Sequence, residues 1–269
     1  MAVDNFIPTI WSRSLLENLR TSLVFGQPGI VNRDYQGEIT GAGSSVKINN
    51  IGAISVFDYT RNADMAAPEI LNSGQVTLLI DQERAFSFQI DDVDAAQVQP
   101  KLMDAAMRES AYALAKDMDV FLAGLASTEA GITSVTLGSD PYETLVDAFT
   151  ALDEADCPEQ GRWVIVPPAF MGLLRKDDRF ISFGTSENRT TLENSVIGQA
   201  AGFTVLMSNN TTGGNTVYFG HPAAWTMASQ VDRVEAYRME LRFADGVKGL
   251  SVYGAKTVRP GILGTFTTP

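Results

Sequence analysis

The sequence is poorest in the side chains that do most catalytic work. It has one cysteine, Cys157, and one histidine, His221. A lone cysteine cannot close an intrachain disulfide, which fits a reducing cytoplasm. A Ser-His-Asp or Cys-His site needs a histidine as its base. The only one stands in Phe219-Gly220-His221-Pro222, the setting of a loop residue. Zinc sites need clusters of Cys and His, which one of each cannot supply. There is no Walker A motif, and Gly41-Ala42-Gly43 lacks the third glycine of a dinucleotide loop. Asp91-Asp92-Val93-Asp94 is the one cluster suited to a hard cation. Its order departs from the calcium-loop pattern, and helix capping explains it more simply. No catalytic residue, cofactor or metal is therefore assigned, and the chain is expected not to be an enzyme.

Positive charge is also scarce. Lys and Arg number 20 against 32 Asp and Glu, for a net charge of −12. A protein that grips nucleic acid by its phosphates needs a basic face. The nearest approach, Arg175-Lys176, is followed at once by Asp177-Asp178. The acidity serves solubility or makes a surface that repels polyanions. No apolar run nears the ~18 residues of a membrane span. The start, Met1-Ala2-Val3-Asp4-Asn5, lacks the basic region of a signal peptide. The expectation is a soluble protein, cytoplasmic where it is made.

What is present is an ordinary folding composition. The chain has 269 residues, 45% hydrophobic and 19% charged, enough for one large domain or two intimate ones. No repeat of fixed period occurs. Residues 1–44 read as an arm, with a short amphipathic segment from Trp11 to Leu19 among many glycines. Phe6, Ile7, Trp11, Leu15, Leu19 and Phe25 would be costly to leave in water, at about 2 kcal/mol each. They need a partner surface in this subunit or another.

Val46 to Tyr59 reads as a strand pair or bent strand, broken near Gly52. Asn72-Ser73-Gly74 signals a turn, and Gln75 to Ile90 returns as strand. Val76, Leu78 and Ile80 share one face; Phe86, Phe88 and Ile90 share one further on. The whole is a long hairpin with an extended tip. An isolated two-stranded ribbon is marginal in water, so it implies something to lie against.

Pro100 to Gly124 is helical. Met103, Met107, Ala111, Leu114, Met118, Phe121 and Leu125 form one stripe at spacings of three and four, with Lys101, Asp104, Arg108, Lys116 and Asp119 mostly off it. Such a helix is about 37 Å long, a girder. Asp140-Pro141-Tyr142-Glu143 is a helix start. Arg162 to Val166 reads as a buried strand, ended by Pro167-Pro168 and followed by a helix over Ala169–Lys176. Phe203 to Met207 and Thr216 to Phe219 are short strands. Tyr237, Met239, Leu241 and Phe243 alternate with charge, Asp245-Gly246 signals a turn, and Val247 to Val258 reads as the return strand.

This order of parts resembles the major capsid proteins of tailed bacteriophages, the Hong Kong 97 type. The phrases that carry the likeness are Phe86-Ser87-Phe88-Gln89-Ile90-Asp91-Asp92-Val93-Asp94, Arg162-Trp163-Val164-Ile165-Val166-Pro167-Pro168, Ile197-Gly198-Gln199-Ala200-Ala201-Gly202-Phe203, and Val247-Lys248-Gly249-Leu250-Ser251-Val252-Tyr253-Gly254. The resemblance implies an α+β fold with an N-terminal arm (1–44), an extended β-hairpin or E-loop (45–90), a long spine helix of the peripheral domain (91–130), an axial domain (131–230) and closing strands of the peripheral domain (231–269). It implies a structural subunit of an icosahedral phage head. Copies would assemble into pentamers and hexamers in the host bacterial cytoplasm and enclose double-stranded DNA without reading its sequence. Portal and separate scaffolding or decoration proteins are the implied partners, and no membrane.

Some relatives cross-link their shells through a hairpin lysine. Here the hairpin carries only Lys47, near its base, so no such bond is expected. The residues expected at subunit interfaces are Phe6, Trp11 and Leu15 in the arm and Arg61, Asp64 and Glu69 at the hairpin tip. An encapsulin-like nanocompartment shell and a soluble α+β enzyme are the alternative readings.

Overall fold

The computed structural model describes residues 23–35, 45–51, 58, 61–62, 64, 73–91, 102–133, 140–177, 198–240 and 243–268. In chain order come strands β1 (Ser45–Ile51), β2 (Ser73–Leu79) and β3 (Gln82–Asp91) and helix α1 (Leu102–Glu129). Helix α2 (Pro141–Glu154), strand β4 (Trp163–Val166) and helix α3 (Pro168–Lys176) follow. The chain continues with β5 (Gln199–Ala200), β6 (Phe203–Met207), β7 (Thr216–Gly220), β8 (Trp225–Arg238), β9 (Ala244–Thr257) and β10 (Leu263–Thr267). The strands make three sheets, ordered β1-β2, β10-β7-β4-β6-β5 and β3-β9-β8.

Alanine and straight-chain residues fill the segment of α1, and these are the best helix formers. The helix has 28 residues, about 42 Å at 1.5 Å each, and continues past Gly124 to Glu129. Met107, Ala111, Leu114 and Met118 are buried and Phe121 and Leu125 pack against the core, as the spacing predicts. Ala115, Leu122, Ala123 and Ala126 widen that face. Asp119 overturns the reading that it lies off the stripe, because it is fully buried. Polar clamps hold α1 to the β3-β9-β8 sheet. Arg84 Nε (2.6 Å) and the Tyr253 hydroxyl (2.7 Å) both donate to Asp117 Oδ2. Glu129 accepts from Lys256 Nζ and from the Thr257 N–H.

β4 is the centre of the five-stranded sheet, parallel to β6 and antiparallel to β7. All four of its residues are buried, which is why it is a continuous apolar run and not an alternating one. Leu145, Ala148 and Leu152 of α2 and Phe170, Met171 and Leu174 of α3 are buried. Trp163 stacks on Trp225 with ring centroids 5.8 Å apart. The Asp140 carbonyl takes the Thr144 N–H, but its side chain makes no capping bond, so the expected carboxylate cap at the start of α2 is not formed. Pro168 is the first residue of α3, not the end of the strand. Arg162 is fully buried and gathers the end of α2. It donates to the carbonyls of Pro158, Phe149 and Cys157, pairs with Asp153 at 2.7 Å, and lies 4.2 Å over the Phe149 ring.

Two strand expectations are corrected. The return strand of the hairpin is two strands in two sheets: β2 pairs β1, while β3 pairs β9 from Gln82 to Asp91. Asp91 thus ends a strand instead of opening a helix. Asp245-Gly246 is not a turn but part of β9, paired with Arg238 and Tyr237. Glycine is needed there because the Tyr237 ring fills the place of a side chain: a Cβ on Gly246 would lie 2.6 Å from Tyr237 Cζ.

Candidate assembly surfaces

The described part of the arm is built into its own subunit. Leu23, Phe25, Ile30 and Val31 belong to the main core. Phe25 sets its edge against Tyr218 and Trp225, with centroids 5.3 and 6.5 Å away. Trp225 Nε1 donates to the Ile30 carbonyl at 2.7 Å. The Asn32 N–H donates to the Trp225 carbonyl, and its carbonyl accepts from the Met227 N–H. Asp119 receives the N–H groups of Val24 and Phe25, both at 3.0 Å. Loss of water pushes its carboxyl up to about 6, against the hydrogen bonds that favour the ion. Of the two surfaces open to the arm, the subunit itself takes residues 23–35. Phe6, Trp11 and Leu15 lie outside the described residues.

The hairpin has two unlike faces. Val46 sits opposite Leu78 and Ile48 opposite Val76. Val46, Ile48, Leu78 and Ile80 are buried with Ala228 and Val252 in a second, smaller apolar cluster, flanked by Tyr35, Leu250 and Val258. The opposite face shows Ser45, Lys47, Gln75, Thr77 and Leu79 to solvent. Gly254 of β9 makes the junction possible, because a Cβ there would meet the Leu79 carbonyl oxygen at 2.1 Å. A cleft of about 230 Å³ opens beside this base, lined by Asn32, Tyr35, Ile48, Trp225, Thr226 and Arg259.

Arg61 and Asp64 are exposed, and Glu69 lies outside the described residues. Sequence reasoning missed other surface candidates, since an exposed apolar residue looks like a core residue until the fold is known. Phe243 is 80% exposed in the β8–β9 turn. Tyr112 and Val120 stand half exposed on α1, with exposed Lys116 between them at helical spacing. Val146 of α2, Leu173 of α3 and Met207 of β6 are also exposed. Among the described residues β3 lies at the edge of its sheet, and a free edge can accept a strand from another chain.

His221 closes a short turn: its Nδ1 accepts the Ala223 N–H, which leaves Nε2 to donate to the Gln160 carbonyl. Burial pushes the Cys157 thiol up, against the pull of Arg162. Among the described residues no group of three His, Cys, Asp or Glu could hold a metal, and no helix is long and apolar enough to cross a membrane.

Residues 75–261 match the family model described as phage capsid protein. The chain belongs to that family. No curated protein matches it. A solved structure from Mycobacterium phage Che8 is 32% identical, with 88% of each chain covered and a TM-score of 0.74. The capsid structure of the cyanophage P-SCSP1u is 16% identical, covering 86% of this chain and 85% of that one, with a TM-score of 0.68. A virus-like particle from Pyrococcus furiosus is 15% identical over 96% of this chain and 98% of that one, at a TM-score of 0.56. The last two show a shared fold alone. This phage capsid chain is a structural head subunit with the α+β fold that the sequence resembles, and the encapsulin-like alternative has less support. As a head subunit it associates with copies of itself into a shell.

Proposed function

We propose that the chain tiles as pentamers and hexamers into a closed icosahedral head around double-stranded DNA, with the hairpin and the first part of the arm reaching across neighbouring subunits. The observation that carries this is the β1–β2 ribbon. It is a two-stranded sheet whose outward face has no cover in its own subunit among the described residues. Its exposed Leu79 and the charged Arg61 and Asp64 suit contact with the next copy, with Glu69 assigned to the same tip. Phe6, Trp11 and Leu15 are assigned to a neighbour in the same way. In this scheme the E-loop is the β1–β2 part of 45–90, since β3 joins β9 and β8 in the peripheral wall; α1 is the spine, and the five-stranded sheet, which takes β10 from the closing segment, lies in the axial domain. Many modest contacts then add through multivalency, and heterologous contacts that close make rings. Lys47 at the hairpin base makes no covalent link. The net charge of −12 keeps the wall from gripping the packed polyanion. Assembly takes place in the host cytoplasm, with portal and separate scaffolding or decoration proteins as partners.

Negative-stain electron microscopy with size-exclusion chromatography of the purified protein tests the scheme. Closed particles, rings or tubes of hundreds of kilodaltons are the expected outcome. A monomer at every concentration, with or without lysate from infected cells, overturns it.

A further inference from the structure

Asp119 is a buried anion that shell building leaves unexplained. It sits mid-way along α1, fully buried, and its two oxygens take the N–H groups of Val24 and Phe25, residues 95 and 94 positions away. Among the described residues no cation pairs with it. On the arm, Arg33 donates to the Gly26 carbonyl and Asp34 is exposed. On α1, Lys116 is exposed and Asp117 serves Arg84 and Tyr253. Residues 208–215 carry no ionisable side chain and contribute the Asn210 amide. On β7 the Tyr218 hydroxyl accepts the Thr212 N–H. The arm segment, not a counter-ion, is what covers this carboxylate.

We propose that Asp119 positions the arm and couples its docking to a proton: residues 23–35 seat more tightly on a protonated Asp119 than on an ionised one. The inference concerns one subunit and stands apart from the shell reading. Seating the arm strips water from the carboxylate, and this is the largest influence on it. The N–H groups of Val24, Phe25 and Gly26 and the Asn210 amide return only part of what water gave. The carboxyl therefore moves from its ordinary 3.8 up to about 6. With the arm lifted, the group is wet and returns to its ordinary range. The seated state thus binds more protons between those limits. Seating is strongest below the ordinary carboxylate range and weakens as pH rises through about 6. An ion-pair latch would behave in the opposite sense and open in acid.

The test is hydrogen exchange of the full chain at pH 5 and pH 8, corrected for intrinsic rates, following residues 23–35 against β4 as internal reference. The opening constant of the segment should be about tenfold larger at pH 8 than at pH 5. Asp119→Asn, a neutral stand-in for the protonated acid, should hold residues 23–35 more tightly than the wild type at pH 8 and lose the pH slope. His221→Gln removes the only histidine and should keep the slope. A flat or inverted slope in the wild type overturns the proposal. So does a slope that survives in Asp119→Asn or vanishes in His221→Gln. If Asp119→Asn does not fold, the wild-type and His221→Gln slopes decide the matter between them.

Discussion

The five-stranded sheet and the β1–β2 hairpin are made of similar residues and live by different rules. β4 has neighbours on both edges, and all four of its residues are buried. β1 alternates buried Val46 and Ile48 with exposed Ser45 and Lys47, and among the described residues it has one partner strand. The first is a core that one chain completes. The second rests one face on a small cluster and offers the other to water. A body made this way sets stiffness within a subunit, while a ribbon made this way leaves free energy to be gained between subunits. The contrast sharpens into two readouts: unfolding free energy should report the body, and particle yield should report the ribbon.

Replacing Arg162 by Leu removes a buried guanidinium from three carbonyls and from Asp153, and should cost about 3–5 kcal/mol by denaturant titration. Particle yield should fall only as far as the folded fraction does. Leu78→Ala empties part of the small cluster under the hairpin. It should cost about 2–4 kcal/mol in the same titration, and it should reduce particle yield beyond what that loss explains. Gly254→Ala pushes a methyl against the backbone of Leu79 and Ile80, where nothing can yield cheaply. About 1–3 kcal/mol is expected, again with a disproportionate loss of particles.

Glu129→Gln should cost about 0.5 kcal/mol at pH 7, because the pair with Lys256 is part exposed. Burial pushes the Glu129 carboxyl up, but the bonds from Lys256 and Thr257 and the Lys256 charge outweigh it, so it lies below its ordinary value. Its support is present above the unfolded pKa and is lost as pH falls through the folded one. The Gln variant should therefore show a flatter acid limb in stability measured from pH 7 to pH 3. Arg61→Ala with Asp64→Ala should change unfolding by under about 0.5 kcal/mol while lowering particle yield. Unchanged particles from this double variant would break the assignment of the tip as a contact.

Much of this was legible in the chain. The Met107-Ala111-Leu114-Met118 stripe found α1, because helical periodicity is written within a few residues. The run Trp163 to Val166 found the central strand. The scarcity of histidine and cysteine pointed away from common catalytic centres, and four phrases in order resembled a capsid protein. Three readings failed for one reason: each depended on a partner that the local pattern does not show. Asp119 looked solvent-facing because the Val24 and Phe25 N–H groups that receive it are nearly a hundred positions away. The strand from Gln75 to Ile90 looked continuous because only pairing with β1 and then β9 divides it. Asp245-Gly246 looked like a turn because glycine serves two ends, bending backbone and admitting a ring, here that of Tyr237.

Sequence alone determined the helix α1, the central strand β4 and the family likeness, since these rest on local pattern and composition. Tertiary structure alone decided which carbonyls and which carboxylate the buried Arg162 meets, that Phe25 belongs to its own subunit's core, and that Asp119 meets the arm. Burial is decided by which distant segments the topology brings together, and the cost of taking a charge from water is set only there.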